Sequence, residues 1–464
     1  MPQGIITFQL ISVVLATAAT ILVLFLLLAR RHVIIKPTFF VGLFATLSSW
    51  SAVAYASQAY SFLAEPWPFL WVTQVTAIVL LVISTFSVDR SARGIWDIAT
   101  SVPAYRYLAL KRVIPIVLGL SVACIAIYFI YVRPWQTGLW VAIAHGDVLL
   151  SREARESSLK LLSAFPRYVF SLNRDVLTRF AAAALVLIAV ARWKVRGQRV
   201  FILIPVLLLC LAASASLYGA RGPAGLVIAA ALLAFYFYKK APLRLSYVVI
   251  GFGLVVLLPT AISLMRGGGE LSLKGLWGEF TNTIAHRVFG TQSEVGIWHM
   301  DYVQRYGYWG ISGISKLAPL FNIEPVNVDN LIMNEYHHST PTGLATTGSF
   351  ITNYTRWGLV GGMLFSIVSV WLLDLILPVF RRVTPAMLLA SLCIFLMATR
   401  GVLASNIETV LITRGLVPGL VLIWFLNGLV RADDERQESR YADAAQLAST
   451  PEDVEWGYAA ECDR

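Results

Sequence analysis

An all-α fold threaded repeatedly through a membrane is what this sequence predicts, on three observations. Of its 464 residues 58% are hydrophobic and 14% charged, with a mean hydropathy of +0.71, far more apolar than a soluble chain of this length. Apolar runs of about 17–25 residues, the length that crosses a bilayer as a helix, recur along the chain. Basic residues gather in every second connection between those runs.

Taken in order, the runs fall near 5–29, 38–60, 67–88, 113–132, 177–193, 199–217, 222–238, 245–264, 358–379, 384–400 and 408–429, about eleven transmembrane helices. The first is too long, and lacks the basic lead, for a cleaved signal, so it reads as a retained span. Arg30, Arg31 and Lys36 occupy the first connection. Arg90, Arg93, Arg106, Lys111 and Arg112 occupy the third, and Arg192, Lys194, Arg196 and Arg199 the fifth. Lys239, Lys240 and Arg244 fill the seventh, Arg381 and Arg382 the ninth, and Arg431 opens the tail. This alternation puts the basic loops in the cytoplasm and the N-terminus outside. Residues 1–432 read as one transmembrane domain and 433–464 as an acidic, Ala-rich, disordered cytoplasmic tail.

A net charge of +11 and a pI near 9.5 are explained by those orienting loops, so nucleic acid is not an expected partner. Cys124, Cys210 and Cys393 lie in apolar runs and Cys462 in the tail, which excludes a disulfide framework or a CxxC metal site. Histidines 145, 286, 299, 337 and 338 are scattered without metal-ligand spacing. No metal and no cofactor is expected.

Two long segments, 133–176 and 266–357, then face outward, the second a large late periplasmic loop. In the first, Ser151 to Lys160 has the alternating charge of a solvated surface helix, and Arg174 and Asp175 lead into the fifth span. The second is rich in aromatics, Trp298, Tyr302, Tyr306, Tyr308 and Trp309 among them, which suit either sugar stacking or an interfacial belt.

The most polar stretch, Asn334 to Gly343, carries Glu335, Tyr336, His337 and His338 ahead of a helix start, with Thr340 as N-cap and Pro341 in the first turn. Free N–H groups there favour an anion, and a neutral imidazole beside it can take a proton from a hydroxyl. A polar helix bearing Thr346, Thr347, Ser349, Thr352, Asn353 and Thr355 follows, and must line a cavity or pack against other spans.

Candidate anion ligands are Arg221 with Gly222 and Pro223 at the mouth of the seventh span, Arg287, and Arg266 at the head of a triple glycine. Arg305, Arg356, Arg400 and Arg414 are further candidates, Glu408 being the expected partner of Arg414. The chemistry these suggest is displacement of a lipid pyrophosphate by a hydroxyl, with arginines stabilising the leaving group.

With about a dozen spans, Arg221 at a mid-chain outer span start, Arg287 near the opening of a late outer loop, His338-Ser339-Thr340 before a polar half-helix, and Asn353-Tyr354 ahead of Gly358, the chain resembles the Wzy-type oligosaccharide repeat-unit polymerases. It resembles the O-antigen ligases more distantly. The resemblance implies a glycosyltransferase of the bacterial inner membrane that polymerises undecaprenyl-pyrophosphate-linked oligosaccharide on the periplasmic face. Arg221, Arg287 and His338 are its implied catalytic residues. Arg266, Arg414, His337, Glu335, Tyr336, Thr340 and Asn353 are placed around the substrate, and a chain-length regulator is a further candidate partner beside membrane lipid. The Arg-x10-Gly pattern of some polymerases is not found after Arg221 or Arg287. The alternatives are an O-antigen ligase and, in another class, a lipid-linked oligosaccharide flippase.

Overall fold

The computed structural model describes residues 3–145, 148–198, 203–218, 222–239, 291–314, 318–337, 348–403, 407–412 and 415–449. These are about 89% helical with no strands, and eight helices are long and apolar enough to cross a membrane. Helices suit that medium because each satisfies its own backbone hydrogen bonds. The elements are α1 Gln3–Ala29, α2 Pro37–Phe62, α3 Trp67–Ser84, α4 Asp89–Ser101, α5 Ala104–Tyr131, α6 Gly138–His145, α7 Val148–Leu161 and α8 Ala164–Arg196. Two shorter apolar helices follow, α9 Leu203–Ala215 and α10 Gly222–Lys239. The later part of the chain forms α11 Thr291–Tyr306, α12 Val328–His337, α13 Ser349–Asp374, α14 Pro385–Thr399, α15 Ile407–Ile412 and α16 Leu416–Ser449.

α8 and α14 form the centre, each with 83% of its apolar window buried, against 28% for α1 at the rim. Small residues explain the close packing. Ala181 to Ala184 of α8 and Ala230, Ala231 and Ala234 of α10 are all buried, and such side chains let helix backbones approach where lipid supplies no hydrophobic drive.

The basic connections meet at one end. Arg30 donates to the Thr85 carbonyl (2.7 Å), and Arg381 to that of Arg90 (3.2 Å). Fully buried Lys36 donates to the Ser84 carbonyl (2.7 Å) and to Asp89 (2.8 Å), which also lies 2.7 Å from His32 Nε2. Burial alone would raise the Asp89 carboxyl, but hydrogen bonds from Lys36 and His32 outweigh it and hold the group well below the usual carboxylate range. Next to them, Asp374 at the end of α13 accepts from the backbone N–H (2.9 Å) and hydroxyl (2.7 Å) of Thr38, tying α13 to the start of α2.

Two expectations change. Arg174 and Asp175, read as a connection before the fifth span, lie inside α8, where Asp175 takes up the charge of both Arg174 and Arg179; mutual pairing makes their burial tolerable. The tail is helical from Asp433 to Ser449, because Asp433 and Asp434 pair with Arg112 (2.6 Å) and Arg106 (3.2 Å) in the turn that opens α5. The late segment also packs on the bundle. Ser293 of α11 bonds to Ser51 (2.6 Å) in the middle of α2, while Gln304 bonds the Glu65 backbone beyond its end, so α11 runs along the distal half of α2.

α13 is broken at Gly358, whose φ of 72° and ψ of −172° are not helical. Asn353 Nδ2 is 2.9 Å from Ser366 Oγ, although thirteen residues of straight helix would separate them by about 20 Å. The segment 349–357 therefore doubles back beside 359–374. A Cβ on Gly362 would come within 2.6 Å of Tyr354 backbone atoms, so the close crossing needs a residue without one. Ser349, at the start of the returning arm, shares a small cavity with Ala45, Ser48 and Thr73, at mid-depth in α2 and α3.

Candidate functional site

On the distal side, opposite the basic loops, α11 and α12 sit against the broken helix, and a charged cluster is gathered there. α11 folds as an amphipathic helix with Val295, His299, Met300 and Val303 turned inward. Val295 packs with Val328 and Ile332 of α12. Across this pair the Tyr336 hydroxyl donates to Asp301, which also takes Arg305 (2.8 Å). Burial, then the Asp301 carboxylate that accepts its proton, push the Tyr336 phenol up. Its ring stacks on Trp298 with centroids 6.0 Å apart, and Tyr302 stacks on Trp309 at 5.5 Å.

Arg356, only 3% exposed, is the hub. Its Nη2 donates to the Gly313 carbonyl (2.7 Å) and to Glu408 at the start of α15 (3.3 Å). Nε and Nη1 have no hydrogen-bond partner among the described residues. The Trp309 N–H donating to the Thr355 carbonyl (3.0 Å) pins the 309–313 turn over it. Asp329, at the start of α12, is close enough to feel this guanidinium, and burial pushes its carboxyl up to about 6, the charge of Arg356 offsetting only part of the rise. His299, fully buried, has Nε2 3.8 Å from Asp329. That is beyond a hydrogen bond, yet within reach of a charge on either group.

Such a constellation combines a fixed cation with open donors, a carboxyl pushed up to about 6, and an imidazole, beside stacked aromatic rings. It can orient a polar substrate and take up a proton from a hydroxyl. An apolar cavity of about 810 Å³ opens between α13 and α15, lined by Trp357, Gly361, Leu364, Val368, Ile407 and Leu411 among others. Trp357 and Ile407 are chain neighbours of Arg356 and Glu408, so the cavity adjoins the cluster.

Of the residues expected from sequence, Arg221, Arg266, Arg287, His338, Thr340 and Arg414 lie outside the described residues, as do Pro341, Thr346 and Thr347. His337 ends α12, its side chain likewise outside the description. A described helix begins at Ser349, with Gly348 at its N-cap position, and the helix start expected at Thr340 and Pro341 lies outside the described residues. Glu335 is exposed on α12. Tyr336 is in the cluster, but its hydroxyl is given to Asp301. Asn353 is buried and braces the two arms of α13 through Ser366. Glu408 pairs with Arg356, and its expected pairing with Arg414 lies outside the described residues. Asp329 and His299 were missed. His299 carried a signal, a histidine at the helical spacing of Val295 and Val303. Asp329 carried less, a single acid behind Asn327, whose Oδ1 accepts from the Asn330 N–H (3.3 Å) as a helix cap does.

Among the described residues no group of three or more His, Cys, Asp or Glu could hold a metal ion. No protein-family model, no curated protein and no solved structure matches this chain.

Proposed function

We propose that this chain is a membrane-embedded glycosyltransferase that extends a glycan carried on a lipid pyrophosphate, a repeat-unit polymerase of Wzy type. In this reading about eleven spans place the N-terminus and the large late loop in the periplasm of a bacterial inner membrane. The observation that carries it is the meeting of Asp329, His299 and Arg356 in a cluster that also holds paired aromatic rings, next to an apolar cavity suited to a lipid chain.

Asp329 is the proton acceptor for the attacking sugar hydroxyl, since its carboxyl is ionised at neutral pH yet has more proton affinity than an exposed aspartate. Arg356 positions the polar end, and the rings bind sugar faces. Arg221, Arg287, Arg266 and Arg414 are proposed to neutralise the pyrophosphate, with His338 as a second candidate base. Purified protein given a lipid-pyrophosphate oligosaccharide should build a ladder of longer products, and Asp329→Asn should suppress it. An unchanged ladder in Asp329→Asn returns the base assignment to His338; no ladder from the wild type sinks the polymerase reading, and a single transfer to lipid A core supports the ligase.

One observation favours a flippase as the second reading: the returning arm of α13 is a discontinuous helix starting at mid-depth, a device transporters use for ligand sites. Translocation of lipid-linked oligosaccharide across liposomes with no new glycosidic bond decides for it.

A further inference from the structure

A second concentration of charge lies inside α8, in its distal half and apart from the Arg356 cluster. Arg174 gives Nε (2.9 Å) and Nη2 to one oxygen of Asp175, and Arg179 gives Nη2 (2.5 Å) to the other. Asp175 is thus shared between two guanidiniums. A third, Arg155 of α7, stands 5.3 Å from the ring centroid of Tyr218, and Arg174 stands 5.5 Å from the same centroid.

Among the described residues no carboxylate is within ion-pair distance of Arg155. Glu153 on the same helix is exposed, and Glu156 has an interaction of its own. Lys160 and Arg167 add to the positive side nearby in sequence. Tyr218 is buried and locked in place, its neighbour Leu217 accepting from the Leu139 N–H (3.1 Å). Ser216, 6% exposed, keeps its hydroxyl without a hydrogen-bond partner among the described residues.

Two guanidiniums drawn to one ring repel each other, and the repulsion grows as water is excluded. A ring quadrupole attracts both but does not cancel their charge. An anion does cancel it, and the planar fork of arginine matches phosphate with paired donors. The position selects the source, because Tyr218 lies in the connection just past the distal end of the apolar helix α9, the level at which lipid phosphates lie.

We propose that Arg155, Arg174 and Tyr218 form a binding site for the phosphate of a membrane lipid. The site deepens the transfer reading, on which it rests for the role of the bound lipid. The two clusters are close in sequence on this side: Glu408 of α15 pairs with Arg356, and Gly415, seven residues on, packs on Val176 and Asp175.

The test uses the full chain in nanodiscs of phosphatidylcholine, with binding of a polyprenyl monophosphate, the matching polyprenol and inorganic phosphate measured side by side. The expected result is binding of the lipid phosphate alone, weakened at least tenfold in Arg155→Gln and Arg174→Gln and retained in Tyr218→Phe. Arg155 is exposed, so Arg155→Gln keeps the test sound should Arg174→Gln fail to fold. Equal binding of the polyprenol, equal binding of inorganic phosphate, or wild-type affinity in Arg155→Gln overturns the proposal. Were the wild type to give no glycan transfer while Arg155-dependent binding persists, the transfer reading falls and this site stands. Were Asp329→Asn to abolish transfer while Arg155→Gln changes neither binding nor transfer, this site falls alone.

Discussion

Arg356 and Glu408, 52 positions apart in the chain, meet at 3.3 Å between the returning arm of α13 and the start of α15. The arginine is almost fully buried and the glutamate side chain 20% exposed, so the pair is far more sensitive than a surface bridge. Removing one partner of a buried pair typically costs about 3–5 kcal/mol because the other charge is left uncompensated. Arg356→Ala is therefore expected to lower the melting temperature strongly. The double variant Arg356→Met, Glu408→Met should recover much of that loss. A melting temperature in Arg356→Ala equal to wild type shows that the charges are not coupled.

The pH response of Asp329 has a definite sign. Burial raises its carboxyl from an ordinary 3.8 to about 6, so the folded protein disfavours the charged form. The resulting penalty is absent below about pH 4, grows between 4 and 6, and is complete above 6. Asp329→Asn should melt with the wild type near pH 4 and above it at pH 7.5. Activity that needs the carboxylate should fall as pH drops through 6, and the variant's residual rate should lack that limb. Parallel profiles in the two proteins place the titration elsewhere.

Gly358 adopts φ 72° and ψ −172°, in a region open essentially to glycine alone. Gly358→Ala is expected to cost ~1–3 kcal/mol and to weaken the Asn353–Ser366 bond that spans the bend. Hydrogen exchange at 349–357 reads this out, with faster exchange confined to the returning arm expected and unchanged protection counting against the bend.

Tyr336→Phe keeps the stack on Trp298 and removes the proton given to Asp301. A hydrogen bond to a charged group contributes roughly 1.5–3 kcal/mol, of which Arg305 preserves part by holding Asp301 at 2.8 Å. A loss of about 1–2 kcal/mol is expected from chemical unfolding, with substrate affinity shifted more in Trp298→Ala, which removes the stack itself. Equal effects of the two substitutions would argue against a ring platform.

The helical class was legible because apolar runs report span length directly, and the grouping of Arg30, Lys36, Arg90 and Arg381 at one end follows from loop charge. Arg174 and Asp175 were not legible, since a charged pair reads as a loop until its partners are known to neutralise it. The same holds for Asp433 and Asp434, whose helix depends on Arg112 and Arg106 from more than 300 positions away. In the site, hydroxyl content correctly marked the Ser349 helix as packed inside. Its reversal at Gly358 left only a glycine in the sequence, as many ordinary helices do. Asp329 matters through depth and a distant guanidinium, neither of which is written in local spacing.

The doubled-back arm of α13 has a consequence for how the protein is made. Nine residues with Ser349, Thr352, Asn353, Thr355 and Arg356 are too short and too polar to enter lipid by themselves. They can take their place only once α2, α3 and α11 already offer a wall of hydroxyls and carbonyls to receive them. The Arg356 cluster therefore forms only after those helices are in place, and a nascent chain stalled before that step lacks the Arg356–Glu408 pair.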